Sequence, residues 1–310
     1  MTDGTTDPPL HGWIILDKPV GIGSTSCVGA VKRALREAGV PKTRVGHGGT
    51  LDPLASGVLP IAIGEATKLA GRMLDATKAY EFTIRFGEET DTLDLEGGVV
   101  ASTDVRPTWA EVEAALPRFT GEIEQVPPAY SALKVDGKRA YDLARAGEQI
   151  ALKSRTVRIF DLSVCSERKQ GALPSRLEEI TLTATVSKGT YIRSLARDIA
   201  HAFDSVGHVT TLRRTRAGPF TLEQAISLDF LAEAAKARDL TRTVLPLEAG
   251  LDDIPALPVT PQDAQLLRFG QKLPGSPVQP GLYLATEDRC PVALVEASAG
   301  VLKVVRGFNL

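Results

Sequence analysis

Asp52 is the residue of this chain best placed to do chemistry. It stands in Gly46-His47-Gly48-Gly49-Thr50-Leu51-Asp52-Pro53-Leu54-Ala55-Ser56-Gly57, a single carboxylate in a glycine-rich loop. The three glycines before it open backbone geometries closed to other residues, and Pro53 biases Asp52 away from helical dihedrals. Residues 58–63 (VLPIAI) then read as a buried strand with its proline near the start. A carboxylate held at the mouth of a rigid sheet suits nucleophilic or proton-transfer chemistry, because functional loops sit on such scaffolds. Asp-Pro also reads as a helix N-cap followed by an N1 proline. The two readings are compatible, since a fixed backbone would aim the carboxylate.

Other chemistries find little support. Cys27, Cys165 and Cys290 are widely separated, and His11, His47, His201 and His208 lack zinc-ligand spacing. No metal or disulfide framework is expected, and three unpaired thiols suit a reducing cytoplasm. Gly21-Ile22-Gly23 lacks the third glycine of a dinucleotide fingerprint and the lysine of a P-loop, so a turn and helix cap suffice there. No cofactor is expected.

The elements that must position Asp52 mix helices and strands without a regular βαβ repeat. A helix follows Ser24, with Val28, Val31 and Leu35 on one face, and residues 192–203 have helical spacing. Residues 109–119 read as a short helix. Residues 80–86 alternate like a half-buried strand, and 152–164 and 180–186 are further strands. The expected class is α+β, a mixed and mostly antiparallel sheet with flanking helices. Six of the twenty prolines fall between Pro255 and Pro280. Beyond that break, 283–285, 292–295 and 302–305 read as strands of a small β-rich unit. The reading is a tail over 1–10, a main domain over 11–250 and a small domain over 251–310. Deletion from about Leu251 would then spare the main domain's fold.

With 43% hydrophobic and 24% charged residues the composition is that of a globular protein, and no apolar run is long enough to span a bilayer. The net charge of -2 hides a segregation. Residues 88–124 carry ten acidic residues against Arg106 and Arg118. Residues 134–158 carry seven basic against three acidic, and 188–216 six against two. Localised basic segments are the footprint of a polyanion partner.

The Asp52 block resembles the signature of the bacterial tRNA pseudouridine-55 synthases, the TruB family. Trp13-Ile14-Ile15-Leu16-Asp17-Lys18-Pro19-Val20-Gly21 is similar to that family's first strand and Lys-Pro turn. Gly64-Glu65-Ala66-Thr67-Lys68-Leu69, Lys78-Ala79-Tyr80 and Thr90-Asp91-Thr92 follow in the family's order. Gln125-Val126-Pro127-Pro128-Ala129-Tyr130-Ser131-Ala132-Leu133-Lys134-Val135-Asp136-Gly137-Lys138-Arg139-Ala140-Tyr141 resembles its RNA-contacting insertion, about 121–155 here. Ser187-Lys188-Gly189-Thr190-Tyr191-Ile192-Arg193-Ser194-Leu195 and Leu212-Arg213-Arg214 complete the set. Residues 266–271 (LLRFGQ) resemble, more weakly, part of a PUA domain.

The resemblance implies an isomerase that cuts a uridine's N1 glycosidic bond, turns the base and rejoins it through C5, without cofactor or metal. It implies that Asp52 is the catalytic carboxylate and that Arg193 pairs with it; a neighbouring guanidinium favours the charged carboxylate. Tyr80 would stack on the target base and handle the C5 proton. Tyr191 and Leu212 would line the base pocket, and His47 would help flip the nucleotide. Lys18 would support the active-site loops near phosphate. Lys134, Lys138, Arg139 and Arg145, with Lys188, Arg213 and Arg214, would contact RNA. The partner implied is the T-arm of tRNA, bound by a cytoplasmic monomer without guide RNA or accessory protein. On the residues alone, Tyr80, Tyr191 and Leu212 read as core and Arg193 as a phosphate contact. A guide-RNA-dependent synthase, a non-catalytic RNA chaperone and a glycoside hydrolase are the competing readings. The last normally needs a second catalytic carboxylate, and no partner motif is evident.

Overall fold

β1 (Gly12–Lys18) is apolar on both faces because it separates two cores. Ile14 and Leu16 point into one, and Trp13 and Ile15 into the other, as the two-residue period of a strand requires. The structure, a computed structural model, describes residues 10–131, 133–135, 137–146, 152–165 and 176–310. The side chains of Lys134, Val135, Lys138, Arg139, Ala144 and Arg145 lie outside the described part.

After β1 come α1 (Ser24–Glu37), β2 (Val45–His47), β3 (Ala55–Ile63), α2 (Ala70–Asp75), β4 (Lys78–Phe86), β5 (Glu88–Thr90) and β6 (Val99–Ser102). α3 (Trp109–Ala115) starts at a capping box between Thr108 and Glu111. It gives way to a 3-10 turn over Leu116–Phe119, where Pro117 has no N–H to continue the helix. β7 (Gly121–Gln125) leads into the insertion, a hairpin of β8 (Lys134–Val135) and β9 (Lys138–Arg139) with α4 (Ala140–Arg145). β10 (Arg155–Val164), β11 (Glu179–Val186), α5 (Ile192–His201), β12 (Gly207–Ala217), β13 (Phe220–Thr221) and α6 (Leu228–Lys236) finish the larger unit.

Its sheet runs β1-β3-β12-β4-β11-β10-β7, with β2 added to β3 and β13 to β12. Only β3 and β12 pair in parallel, so the expected mixed, mostly antiparallel sheet is present. Pro60 sits inside β3, not at its start. One edge of β3 meets β12 over Ala55–Gly57 and β2 over Ile61–Ile63. The proline's missing N–H falls in the gap between those partners, and its carbonyl still accepts the Gly48 N–H at 2.8 Å. α5 covers one end of the sheet, burying Leu195 and Ile199 against Phe82 and Leu182. α1 and α6 cover the β1–β3 end with Val31, Leu35 and Leu231.

The C-terminal unit is a separate five-stranded sheet with one helix: β14 (Ala256–Pro258), α7 (Pro261–Arg268), β15 (Leu273–Pro274), β16 (Gly281–Glu287), β17 (Cys290–Ser298) and β18 (Val301–Gly307). Its strands are longer than the sequence reading gave. It is also not independent of the larger unit. Leu251, Ile254, Leu284, Leu294 and Phe308 share one buried cluster with Trp13, Ile15, Met73 and Phe220. Lys68 Nζ donates to the Gly307 carbonyl at 2.9 Å, and the Asn309 N–H donates to Glu65 at 2.8 Å. A buried large apolar side chain contributes about 1.5–3 kcal/mol, so opening this face removes a sum comparable to a whole domain's stability of about 5–15 kcal/mol. Deletion from Leu251 is therefore expected to abolish cooperative unfolding in thermal circular dichroism. A truncated chain melting within a few degrees of the full chain would show that the two units fold separately. Among the described residues, no helix is long and apolar enough to cross a membrane.

Candidate active site

The loop carrying Asp52 is held from three directions. Lys18, at the end of β1 and 0% exposed, donates to the carbonyls of Pro19 (2.9 Å), Ile22 (2.7 Å) and Pro53 (3.2 Å). The Ser24 hydroxyl donates to the Leu51 carbonyl at 2.9 Å and accepts the Leu51 N–H at 2.8 Å. Arg214, on β12 and 1% exposed, donates to the carbonyls of Val58 (2.8 Å), Thr50 (3.3 Å) and Gly49 (3.2 Å). A buried carbonyl left without a partner costs about 1–3 kcal/mol, so these contacts fix the loop. Gly57, at φ +100°, lets β12 come close; a Cβ there would lie 2.2 Å from the Arg214 carbonyl oxygen. The Asp52 carbonyl accepts the Ala55 N–H at 3.1 Å in a turn that runs directly into β3. No helix starts there, so the helix-cap reading of Asp-Pro does not hold. The carboxylate, with 39% of its side chain exposed, lines a cleft of about 1410 Å³.

Arg193, in the first turn of α5, meets Asp52 there. Its Nη2 lies 2.9 Å from Asp52 Oδ2, and its Nε lies 3.5 Å from Asp94 Oδ2. Nη1 donates to the Thr92 carbonyl at 2.7 Å and Nη2 to that of Tyr130 at 3.1 Å. Asp94 is in turn held by the Thr92 hydroxyl at 2.6 Å and the Glu96 N–H at 3.0 Å. One buried guanidinium thus stands between a buried carboxylate, whose oxygens are all engaged, and a carboxylate open to the cleft. Tyr80 on β4, Leu212 on β12 and Tyr191 just before α5 line the same cleft. Tyr80 and Leu212 sit at the seam where both cores of the sheet meet. Two tyrosines and a leucine in one cleft with a fixed carboxylate form a wall that can take a planar base.

Residues 33–192 match the TruB family pseudouridylate synthase N-terminal domain, and residues 193–252 match the tRNA pseudouridylate synthase B C-terminal domain. The chain belongs to the TruB family. It is 62% identical over 302 residues to the tRNA pseudouridine synthase B of Novosphingobium aromaticivorans, covering 97% of this chain and 98% of that protein. It is 57% identical to the protein of the same name from Zymomonas mobilis, covering 100% and 99%. Among solved structures, a Cbf5-Nop10-Gar1 complex aligns at TM-score 0.71 and 25% identity over 96% of this chain and 85% of that one. An H/ACA RNP bound to a substrate RNA containing 2'-deoxyuridine aligns at TM-score 0.71 and 23% identity, with the same coverage; that likeness is one of fold. As a TruB-family member the protein is a pseudouridine synthase, an isomerase.

Within this TruB-family fold, the cleft brings together Asp52, Tyr80, Arg193, His47, Tyr191 and Leu212. His47 ends β2, and its Nδ1 accepts the Gly49 N–H at 3.4 Å. Burial, and then the Arg214 guanidinium, push its imidazole below the usual value, so the neutral ring is favoured.

Two of the expected RNA or phosphate contacts are placed otherwise. Lys18 is sealed from solvent, and the three carbonyls occupy its three ammonium donors, leaving none for phosphate. Burial pulls its pKa below the usual value. Arg214 is likewise taken up by the Asp52 loop. Adjacent residues of a strand face opposite sides, so only Arg213 of the Arg-Arg pair is partly open, and it is paired with Asp17 at 2.8 Å. Replacing Arg214 with Lys should lower isomerisation at saturating RNA by about tenfold or more, because a single ammonium cannot replace the planar fork that reaches the Val58, Thr50 and Gly49 carbonyls from three separate nitrogens. In Arg214→Met, which removes the charge, the slope of log affinity against log salt should stay unchanged; a fall of about 0.7–0.9 would show a phosphate contact instead. Lys188 lies exposed near the rim, 3.0 Å from Asp75. The side chains of Lys134, Lys138, Arg139 and Arg145 lie outside the described residues.

Three residues of the site were not singled out from the sequence. Asp94 follows the Thr90-Asp91-Thr92 motif by two positions, and only the fold brings it to Arg193. Ser24 opened a helix in the sequence reading, and its second role as the bracket on Leu51 is tertiary. Lys78, two residues before Tyr80, donates to the carbonyls of Leu74 (2.6 Å) and Ala76 (2.7 Å). Burial, and then Arg214, bring its pKa down to about 8.

Proposed function

We propose that this protein is a stand-alone tRNA pseudouridine synthase that isomerises uridine 55 of the T-loop, with Asp52 as the catalytic carboxylate. The observation that carries the reading is the Asp52–Arg193 pair at 2.9 Å in a cleft walled by Tyr80, Tyr191 and Leu212. A duplex or folded loop hides its bases, so the target nucleotide is extruded into that cleft at a cost of a few kcal/mol of stacking. His47, neutral and at the cleft wall, helps fill the space that the base vacates. Tyr80 and Leu212 take the faces of the base and leave the ribose beside Asp52. The carboxylate then attacks the ribose C1′ or removes the C2′ proton, and either route begins from the ionised form that Arg193 faces. The N1–C1′ bond breaks with its electron pair on N1, and the base turns. C5 bonds to C1′ as the Asp52–C1′ bond breaks or, on the other route, as the proton returns to C2′. The C5 proton leaves, with the Tyr80 hydroxyl beside it, and N1 takes up a proton.

The basic residues of the insertion, with Lys188 and Arg213, supply backbone contacts. The insertion grips RNA in place of a guide, so the protein acts alone, as a monomer in the cytoplasm, and the C-terminal unit adds PUA-like contacts. The relatives named tRNA pseudouridine synthase B support tRNA as substrate.

Tyr80→Phe separates stacking from proton handling. The ring face stays, so RNA affinity should change less than about threefold. Loss of a proton-transfer group lowers rates by about 10²–10⁴-fold, and single-turnover isomerisation should fall within that range. A variant with the wild-type rate would remove the hydroxyl from the mechanism.

A further inference from the structure

Both ends of the insertion converge on one residue. Gln125 closes β7, Arg155 opens β10, and the two are opposite each other in the antiparallel register. The Gln125 side chain is fully buried and pairs reciprocally with the backbone of Tyr191. Its Oε1 accepts the Tyr191 N–H at 2.8 Å, and its Nε2 donates to the Tyr191 carbonyl at 3.1 Å. These two partners fix the orientation of the amide. Arg155 meets Tyr191 at the ring, its guanidinium carbon 4.8 Å from the centroid, and bonds the Gly189 carbonyl through Nη2.

Tyr191 needs such support. It is the N-cap of α5, extended at φ -103° and ψ 115°, and its side chain makes no cap hydrogen bond. The Gln125 amide stands where a neighbouring strand's peptide group would otherwise satisfy that backbone. The following residues of the insertion root continue the seam. The Val126 carbonyl accepts from Ser194 at 2.8 Å and Arg197 at 3.1 Å, and the Tyr130 carbonyl accepts from Arg193.

We infer that Gln125 is a positioning residue for the isomerisation: it sets Tyr191 and, through the first turn of α5, the Arg193 guanidinium facing Asp52, while Arg155 orients the Tyr191 ring. This rests on the reading of the cleft as the isomerase site. Gln125 touches neither substrate nor reacting atoms, and acts through the two residues it aligns. A displacement of about 1 Å in such a group lowers rates by about 10²-fold.

The test uses the full chain, an unmodified tRNA transcript and single-turnover rates at saturating RNA. Gln125→Met keeps the volume and removes both hydrogen bonds. Its rate should fall by about 10–100-fold with RNA affinity within about threefold. Val157→Ala lies on the same strand pair, buried at 4% exposure and opposite Ile123. It should lower the melting temperature and keep the rate within about threefold. Gln125→Glu supplies a signature that loss of stability alone does not. The neutral acid restores both bonds, whereas the carboxylate faces the Tyr191 carbonyl without a proton to give. Arg155 across the strand pair, and Arg193 and Arg197 on α5, are the charged groups beside it. Burial raises this glutamate's pKa and the guanidiniums lower it, so the rate of Gln125→Glu relative to wild type should rise at least about fivefold from pH 8.5 to pH 4.5, as the carboxylate takes up its proton. The inference is overturned by a Gln125→Met rate within twofold of wild type, by an equal loss in Val157→Ala, or by a Gln125→Glu ratio that does not rise on acidification. Absence of pseudouridine with the wild-type protein would instead overturn the reading of the cleft.

Discussion

Asp52→Asn is expected to abolish isomerisation, a loss of at least about 10⁴-fold, while tRNA affinity stays within about threefold. The change removes one charge and no contact surface. The Asp52 backbone is fixed by the Lys18, Ser24 and Arg214 contacts to its loop, so the asparagine will occupy the same place. Each tenfold loss corresponds to about 1.36 kcal/mol of transition-state stabilisation, so the carboxylate is assigned about 5 kcal/mol or more. The measurement is single-turnover conversion of an unmodified transcript, beside filter binding of the same RNA. Measurable turnover by the variant would remove Asp52 from the chemistry. A parallel loss of affinity would mean that the residue binds rather than reacts.

Arg193→Met is expected to affect both activity and stability. Asp94 has 7% of its side chain exposed and would lose the guanidinium beside it. Removing one partner of a buried ion pair costs about 3–5 kcal/mol, because the remaining charge stays buried without compensation. Asp52, at 39% exposed, is hydrated and adds little to that cost. At about 2–4 °C per kcal/mol for a domain of this size, the melting temperature should drop by about 6–20 °C. Activity should fall by about 10³-fold or more even well below the melting point, since among the described residues it is the Arg193 guanidinium that is ion-paired with Asp52. Arg193→Lys should recover part of the stability and little of the rate, since an ammonium cannot serve two carboxylates and two carbonyls from one plane. A Met variant with the wild-type melting temperature would contradict the buried-pair account.

Much of this was legible in the sequence, because local rules and tertiary outcome agree over most of the chain. The β3 strand and the helix that buries Leu195 and Ile199 follow from their apolar patterns, and the mixed sheet from the irregular alternation of elements; β1 came from the resemblance. Asp52 stood out from its own glycine-rich loop, whereas Tyr80, Tyr191, Arg193 and Leu212 came from resemblance rather than from physics, and the fold brings those five positions to one cleft. What was not legible depends on contacts between distant segments. Arg213 and Arg214 look alike in sequence; strand alternation buries one and leaves the other partly open. Lys18 was read as a support of the active-site loops near phosphate; that its three donors are filled by carbonyls of the Pro19 and Pro53 turns, leaving none for phosphate, is a tertiary outcome. The proline-rich break near Pro255 suggested a separable unit, yet Leu284, Leu294 and Phe308 face Trp13 and Phe220. Composition marks a change of element, and it carries no information about which surfaces meet. Asp94 has no local signature at all. Its role exists only because the β5–β6 turn lies against the first turn of α5.

The central claim is that the Asp52 cleft isomerises uridine 55 of tRNA without help from another macromolecule. The most direct measurement is incubation of the purified chain with an unmodified tRNA transcript, followed by carbodiimide mapping of pseudouridine at single-nucleotide resolution. The account predicts one strong stop at position 55 with the wild-type protein and none with Asp52→Asn. A wild-type protein that leaves position 55 unmodified, or an Asp52→Asn protein that gives the same stop, would contradict it.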